Sequence, residues 1–206
     1  AASFVIGFLF TIKLPNPVQE KEITPGTTKT VILKNKFLFL SLLLRHIGAA
    51  AVWTILPIMI VEKLGGELYH ISIVYVANTM AAFILMNVMA SKIHLSNITK
   101  FKIGIGFTTF VFIGLSVITE WWMAMPFMAL VGATWAFLFI GGNFHLMENN
   151  PKSTSTGIFS STLSIATVIG PIIAGSIAFL FDYVAVMYFA IAIIIVAFVV
   201  SLKIKK

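Results

Sequence analysis

Long apolar runs separated by short polar breaks dominate the sequence. A helix needs about 20 mostly apolar residues to cross a hydrocarbon core of roughly 30 Å. Six runs are long enough, and they cover residues 37–61, 71–90, 103–119, 121–146, 157–181 and 183–202. They do not alternate apolar with polar residues, which disfavours the strands of a membrane β-barrel. The pattern predicts an all-α polytopic bundle of six transmembrane helices, with successive helices antiparallel because the breaks are short.

Two segments precede this bundle, which is predicted to occupy residues 37–206. Residues 1–12 are apolar but too few to span a membrane, and they lack the basic start of a signal peptide. They are therefore interpreted as the tail of a preceding transmembrane helix. Residues 13–36 contain five Lys and three Pro, a composition that predicts a cytoplasmic linker rather than another span.

The overall composition excludes two classes of protein. Hydrophobic residues make up 59% of the chain and charged residues only 10%, which fits neither a soluble globular domain nor a disordered chain. Cysteine is absent, so a disulfide framework and a thiolate metal site are impossible.

Most basic residues lie in the predicted loops on one side of the membrane. Of the 14 Lys and Arg residues, 12 lie in the linker, in the second and fourth breaks and at the C-terminus. The opposite side has Lys63 with the acidic residues Glu62, Glu67, Glu120 and Asp182. The positive-inside rule then predicts a multi-pass protein of the cell membrane with a cytoplasmic C-terminus. Because the positive charge follows topology, nucleic acid is not expected as a partner.

Polar side chains inside membrane helices are costly unless they meet a partner or a wet cavity. Spans one, two, four and five carry such side chains, whereas spans three and six carry few and are predicted to face lipid. The candidates for a substrate cavity are Arg45, His46, Trp53, Thr54, Asn78, Trp135 and Ser164. Each has a purely structural alternative: an Asn in this setting often bonds a neighbouring helix, and the Trp rings can simply fill space.

Arg45 and His46 are the sharpest of these candidates because both lie far from the ends of the first span. Arg45 either extends back to the cytoplasmic headgroups or contacts an anion in a cavity. His46 either bonds another helix or takes part in proton coupling, since its side chain titrates near neutral pH.

The fifth span carries a stripe of small residues and proline. Gly157, Ser160, Ser164, Thr167, Pro171 and Gly175 form this stripe, with Gly170 beside Pro171. Such stripes usually let helix backbones approach one another. The stripe therefore predicts helix packing.

Little in the sequence suggests catalysis. It has no nucleophile elbow, no phosphate-binding loop and no paired carboxylates within a span. His145 and Glu148 have ligand-like spacing but no third ligand nearby in sequence. We expect no catalytic residues, no metal and no cofactor, and the chain is not predicted to be an enzyme.

Several stretches resemble the C-terminal six-helix half of a major facilitator superfamily transporter. The first span ends LPIMIVEKLGG, similar to the family's seventh helix and outer loop. The stretch HISIVYVANTMAAFILMNVMASKIHLSNITK resembles the eighth helix and the basic loop after it. ENNPKSTSTGIFSSTLSIATVIGPIIAG resembles the eleventh helix with its preceding loop. The acid that the family often has after its eighth helix is missing from NVMASKIHLSN.

The resemblance implies a secondary active transporter, or permease, that moves a small solute by alternating access. It implies three partners: the lipid bilayer, a small-molecule substrate and an N-terminal six-helix half. The aromatic, hydroxyl and amide candidates favour a neutral or amphipathic solute. Two alternatives stay open at this point, a membrane-embedded enzyme and a non-transporting membrane scaffold.

Overall fold

Residues 28–204, which the computed structural model describes, form helices joined by short connections. The helices are α1 (Thr28–Lys34), α2 (Lys36–Glu62), α3 (Leu68–Ser91), α4 (Asn97–Ser116), α5 (Ala124–Asn149), α6 (Lys152–Leu180) and α7 (Tyr183–Leu202), with a 3-10 turn at Trp121–Met123 before α5. This part of the chain contains no strand. The predicted helix tail at 1–12 lies outside the described residues, as does most of the predicted linker. The described end of that linker is α1.

Six of these helices, α2 to α7, are long and apolar enough to cross a membrane. The predicted all-α bundle and its six spans are therefore confirmed, and the chain is a membrane protein. Two helices, α4 and α6, begin six and five residues earlier than predicted. Ser96 caps α4, because its Oγ accepts a hydrogen bond from the Thr99 amide at 3.3 Å. The α6 helix begins directly after Pro151, so its polar first turn is helical although it is not apolar.

Local chemistry sets the other helix ends. The Asp182 carboxylate accepts a hydrogen bond from the Ala185 amide at 2.7 Å and so caps α7. At the start of α3, the Glu67 amide donates to His70 Nδ1 at 2.8 Å in a capping box. Gly65, with φ of 65°, reverses the chain after α2 in the left-handed region that suits glycine.

The main helix contacts repeat when the bundle is divided into α2–α4 and α5–α7. The α2 helix packs against α6 and α7, and α5 packs against α3 and α4. The fifth main contact joins α4 to α7. Replacing α2, α3 and α4 by α5, α6 and α7 reproduces all of these pairs. Because each unit has three spans, an odd number, the second unit begins at the opposite end of the bundle from the first.

Contacts between residues at or near the helix ends identify the two ends of the bundle. At the lysine-rich end, Lys203 after α7 lies 5.9 Å from the Phe37 ring at the start of α2. Lys102 near the start of α4 donates to the Ile204 carbonyl there at 3.1 Å. At the acidic end, the Tyr183 hydroxyl donates to Glu62 at 2.8 Å. The charge separation expected from the sequence is thus present between the two ends of the bundle.

The spans are buried to very different degrees by the rest of the described chain. In its most apolar window, α2 has 67% of its residues buried, whereas α3 has 6% and α6 has 17%. The α7 helix, expected to face lipid, has two sides: Ile194 and Ala190 are fully buried, while Val196 and Val199 are exposed. Its buried side covers α2 and α4, a contact that its uniformly apolar sequence does not reveal.

Candidate functional site: a buried cationic cluster

Arg45 lies in the interior of the bundle. It is 0% exposed, and its Nη2 donates to the Thr108 hydroxyl of α4 at 3.2 Å. Thr108 donates in turn to the Gly104 carbonyl at 2.7 Å, so the hydroxyl is fixed as an acceptor for the guanidinium. The guanidinium carbon lies 5.7 Å from the centre of the Trp135 ring of α5. Arg45 therefore does not extend to the headgroups, which was one of its two interpretations.

The Arg45 charge has no anionic neighbour in residues 28–204. Its Nε and Nη1 have no hydrogen-bond partner. The described carboxylates belong to residues near the helix ends, namely Glu62, Glu67, Glu120, Glu148 and Asp182. Among these carboxylates, Glu148 lies within ion-pair distance of His145, and none is paired with Arg45. Because arginine stays protonated and a buried unpaired ion costs several kcal/mol, one hydroxyl and one ring do not satisfy this group.

His46 lies beside Arg45 and between two tryptophans. Its ring centre is 5.5 Å from that of Trp53 and 5.5 Å from that of Trp135, with the Trp53 ring nearly perpendicular to it. The residue is 4% exposed, and its Nδ1 has no hydrogen-bond partner. His46 is interpreted from the sequence either as bonding another helix or as a proton-coupling residue. Within residues 28–204, its Nδ1 forms no hydrogen bond to another helix.

We refer to Arg45, His46, Trp53, Thr108 and Trp135 as the Arg45 cluster. Four of the five were candidates from sequence, and the fold brings them together from α2 and α5. Thr108 was not a candidate, because a hydroxyl in a membrane helix can be satisfied by its own backbone. It does make that bond, but its oxygen also accepts from Arg45. No sequence signal distinguishes the two situations.

The other three cavity candidates form hydrogen bonds with groups outside the Arg45 cluster. Thr54 and Ser164 donate to carbonyls of their own helices, at 2.9 and 3.1 Å. Asn78 of α3 donates to the Met128 carbonyl of α5 at 3.2 Å, which matches the helix-bonding alternative. These residues therefore do not join the Arg45 cluster.

The small-residue stripe of α6 lies mainly on the outward side of the helix, whereas the adjacent Gly170 faces α2. Gly170, next to Pro171, faces α2 so closely that a Cβ there would lie 2.6 Å from the Ala50 Cβ. Gly157 and Gly175 are exposed, and within the described chain no atom comes within 4 Å of a Cβ built on either. Gly170 thus lies at the contact of α6 with α2. Within the described chain no such contact is observed at Gly157 and Gly175, because they lie on the outward side of α6.

The outward side of α6 is rich in hydroxyl groups. Ser160, Ser161, Ser164, Thr167 and Ser176 are exposed there. Near the lysine-rich end, α6 and α1 line an open groove of about 460 Å³, formed by Thr28, Ile32, Thr154, Gly157, Ile158, Ser161, Thr162 and Ile165. The hydroxyls of Ser164, Thr167 and Ser176 donate to carbonyls of α6 itself, and α6 also exposes Ile165 and Ile172.

His145 and Glu148 form a weak pair at the lysine-rich end. Their nearest nitrogen and oxygen are 3.9 Å apart, and Asn97 of α4 donates to the same carboxylate. Across residues 28–204, no group of three His, Cys, Asp or Glu side chains is placed to hold a metal ion. The hydrogen bond from Asn97 to Glu148 therefore connects α4 to α5.

No protein-family model matches this sequence, and no curated protein is matched by it. The geometry of the bundle is therefore the basis for assigning a function.

Proposed function

We propose that this chain is one six-helix half of a secondary active transporter that moves a small solute across the cell membrane by alternating access. The observation that carries the proposal is the repetition of helix contacts between α2–α4 and α5–α7. Two three-helix units of opposite direction are the inverted repeat found within each half of major facilitator transporters. The order of the spans in the sequence resembles the same family.

The exposed faces of α3 and α6 support a second half as partner. These two helices occupy equivalent positions in the two units, and they are the least buried spans in the described chain. The row of exposed hydroxyl groups on the outward side of α6 is suited to line a solute pathway, since each hydroxyl oxygen can still accept a hydrogen bond. A solute pathway between this face and an N-terminal six-helix half accounts for both properties.

The charge distribution supports an orientation for the proposed transporter. Lysines gather at one end of the bundle and acidic residues at the other, so the positive-inside rule favours the lysine-rich end as cytoplasmic. The C-terminus then lies in the cytoplasm, and the bundle is a multi-pass protein of the cell membrane.

Solute movement by the purified full-length protein tests the proposal directly. Sealed vesicles are loaded with a mixture of amino acids, organic acids, sugars and nucleosides, and mass spectrometry measures what leaves them. We expect saturable loss of one chemical class relative to protein-free vesicles. Retention of every solute by vesicles that contain folded protein would overturn the transporter assignment.

Two matched variants identify the pathway in the same assay. Gly175→Leu places bulk on the outward side of α6, where no atom of the described chain lies within 4 Å of a Cβ at this position. Val199→Leu adds bulk to the exposed side of α7. We expect the first to slow solute loss several-fold and the second to leave it unchanged, because lipid does not demand close complementarity. Equal effects would remove α6 from the pathway.

A further inference from the structure

We propose that the Arg45 cluster binds the anionic group of the solute, so that the substrate class is an amphipathic organic anion. This inference rests on the proposed function and makes it more specific. The aromatic, hydroxyl and amide candidates favour a neutral or amphipathic solute, whereas the Arg45 cluster favours a charged amphipathic one.

The need for an anion follows from the surroundings of Arg45. The guanidinium is fully buried, always protonated and without a carboxylate neighbour in residues 28–204. Its contacts are a neutral hydroxyl and an indole ring, and neither carries a negative charge. The charge that balances Arg45 must therefore come from a group that this part of the chain does not supply.

The free donor groups match a planar oxyanion. Thr108 occupies one hydrogen-bonding position at Nη2, while Nε and Nη1 have no partner. Guanidinium donors lie in one plane and bind the two oxygens of a carboxylate together. Thr108 holds this plane in place, so the guanidinium is oriented before an anion arrives.

The neighbouring side chains suit an apolar or aromatic solute body. Trp53 and Trp135 are partly exposed and flank His46, whose Nδ1 has no hydrogen-bond partner. Indole rings pack favourably against flat apolar groups, and the imidazole nitrogen can take one more polar contact. Since Arg45 itself is covered, an anion reaches it only when a neighbouring ring moves, which alters tryptophan fluorescence.

The test compares benzoate with benzamide, a neutral molecule of nearly the same shape. Full-length protein in lipid nanodiscs is titrated with each probe at fixed ionic strength, and tryptophan fluorescence reports binding. We expect benzoate to bind roughly tenfold more tightly than benzamide, since charge-assisted hydrogen bonds are about twice as strong as neutral ones. Arg45→Gln should abolish this preference.

Two further variants complete the test. Lys102→Gln removes a cation that lies outside the Arg45 cluster, where it donates to the Ile204 carbonyl, and should keep the benzoate preference. Arg45→Lys keeps the charge but not the planar donors, so it should fold and bind benzoate several-fold more weakly. The Lys variant decides the question if Arg45→Gln does not fold. Benzoate affinity unchanged in Arg45→Lys would overturn the proposed geometry.

A carboxylate side chain from a segment outside residues 28–204 is the other source of negative charge. In that case wild-type protein shows no preference for benzoate, and Arg45→Gln lowers the unfolding temperature without any probe. That pair of results would overturn the solute-binding proposal. The titration needs no transport, so a benzoate preference without solute movement in vesicles would contradict the transporter proposal alone.

Discussion

At the scale of single residues, glycines allow the closest helix approaches. Each of the four main contacts made by α2 and α5 with the other spans includes a glycine at which a Cβ would crowd the neighbouring helix. These are Gly48 against α7, Gly170 against α2, Gly132 against α3 and Gly104 against α5. Lipid tails are as apolar as the side chains, so helices in a membrane associate largely through such close packing.

Gly132→Ala should separate α3 from α5. A Cβ at this position would lie 2.1 Å from the Asn78 carbonyl oxygen, and backbone cannot move aside as a flexible side chain can. We expect a loss of about 1–3 kcal/mol in the free energy of unfolding, the range for overpacked sites. Chemical unfolding in detergent measures it.

Gly175→Ala is the matched control, because nothing in the described chain lies within 4 Å of its added Cβ. We expect its free energy of unfolding to stay the same or to rise by up to about 1 kcal/mol, because alanine favours a helix more than glycine does. Equal losses in the two variants would contradict the packing of α3 against α5.

At the scale of helices, burial and polarity differ in how far the sequence predicts them. Apolar length predicts the six spans because the bilayer sets a minimum length. It does not predict that Ile194 of the most apolar helix is buried against α2, since packed and lipid-facing surfaces are equally apolar. Selecting polar and aromatic residues within the spans identifies four members of the Arg45 cluster. The same criterion also selects Thr54 and Ser164, which donate to carbonyls of their own helices.

The start of α7 offers a test of how a helix end is fixed. The Asp182 carboxylate accepts from the Ala185 amide, so Asp182→Ala should cost about 1 kcal/mol and loosen the first turn of α7. Asp182→Asn keeps an acceptor oxygen and should cost much less. Amide hydrogen exchange of residues 183–187 measures the local effect. Identical exchange in the wild type and in Asp182→Ala would mean that the cap contributes nothing.

At the scale of the whole molecule, the two ends of the bundle are expected on opposite sides of the membrane. The sequence has no native Cys, so introduced cysteines report without background from this chain. Cysteines at Leu68 and Glu120 should react with an impermeant thiol reagent added to intact cells, and those at His94 and Lys152 should not. Reaction at His94 from outside would reverse the proposed orientation.

The symmetry of the bundle was not predicted from this chain's sequence. The two three-helix units share contacts rather than residues: α2 carries Arg45 and His46, and α5 carries Trp135 and Asn143. Helix packing needs only small residues at the right places, so sequences can diverge while the arrangement of helices is kept. The symmetry therefore became visible only from the contacts between helices.

The most direct test of alternating access uses the exposed side of α6. Ser161 lies toward the lysine-rich end and Ser176 toward the acidic end, and both are exposed. Cysteines at these positions are labelled from each side of the membrane in the full-length protein, with Val199→Cys as the lipid-facing control. We predict that Ser161→Cys reacts from the lysine-rich side, that Ser176→Cys reacts from the acidic side, and that labelling either one protects the other. Failure of both to react from either side, as expected for Val199→Cys, would contradict a solute pathway along α6.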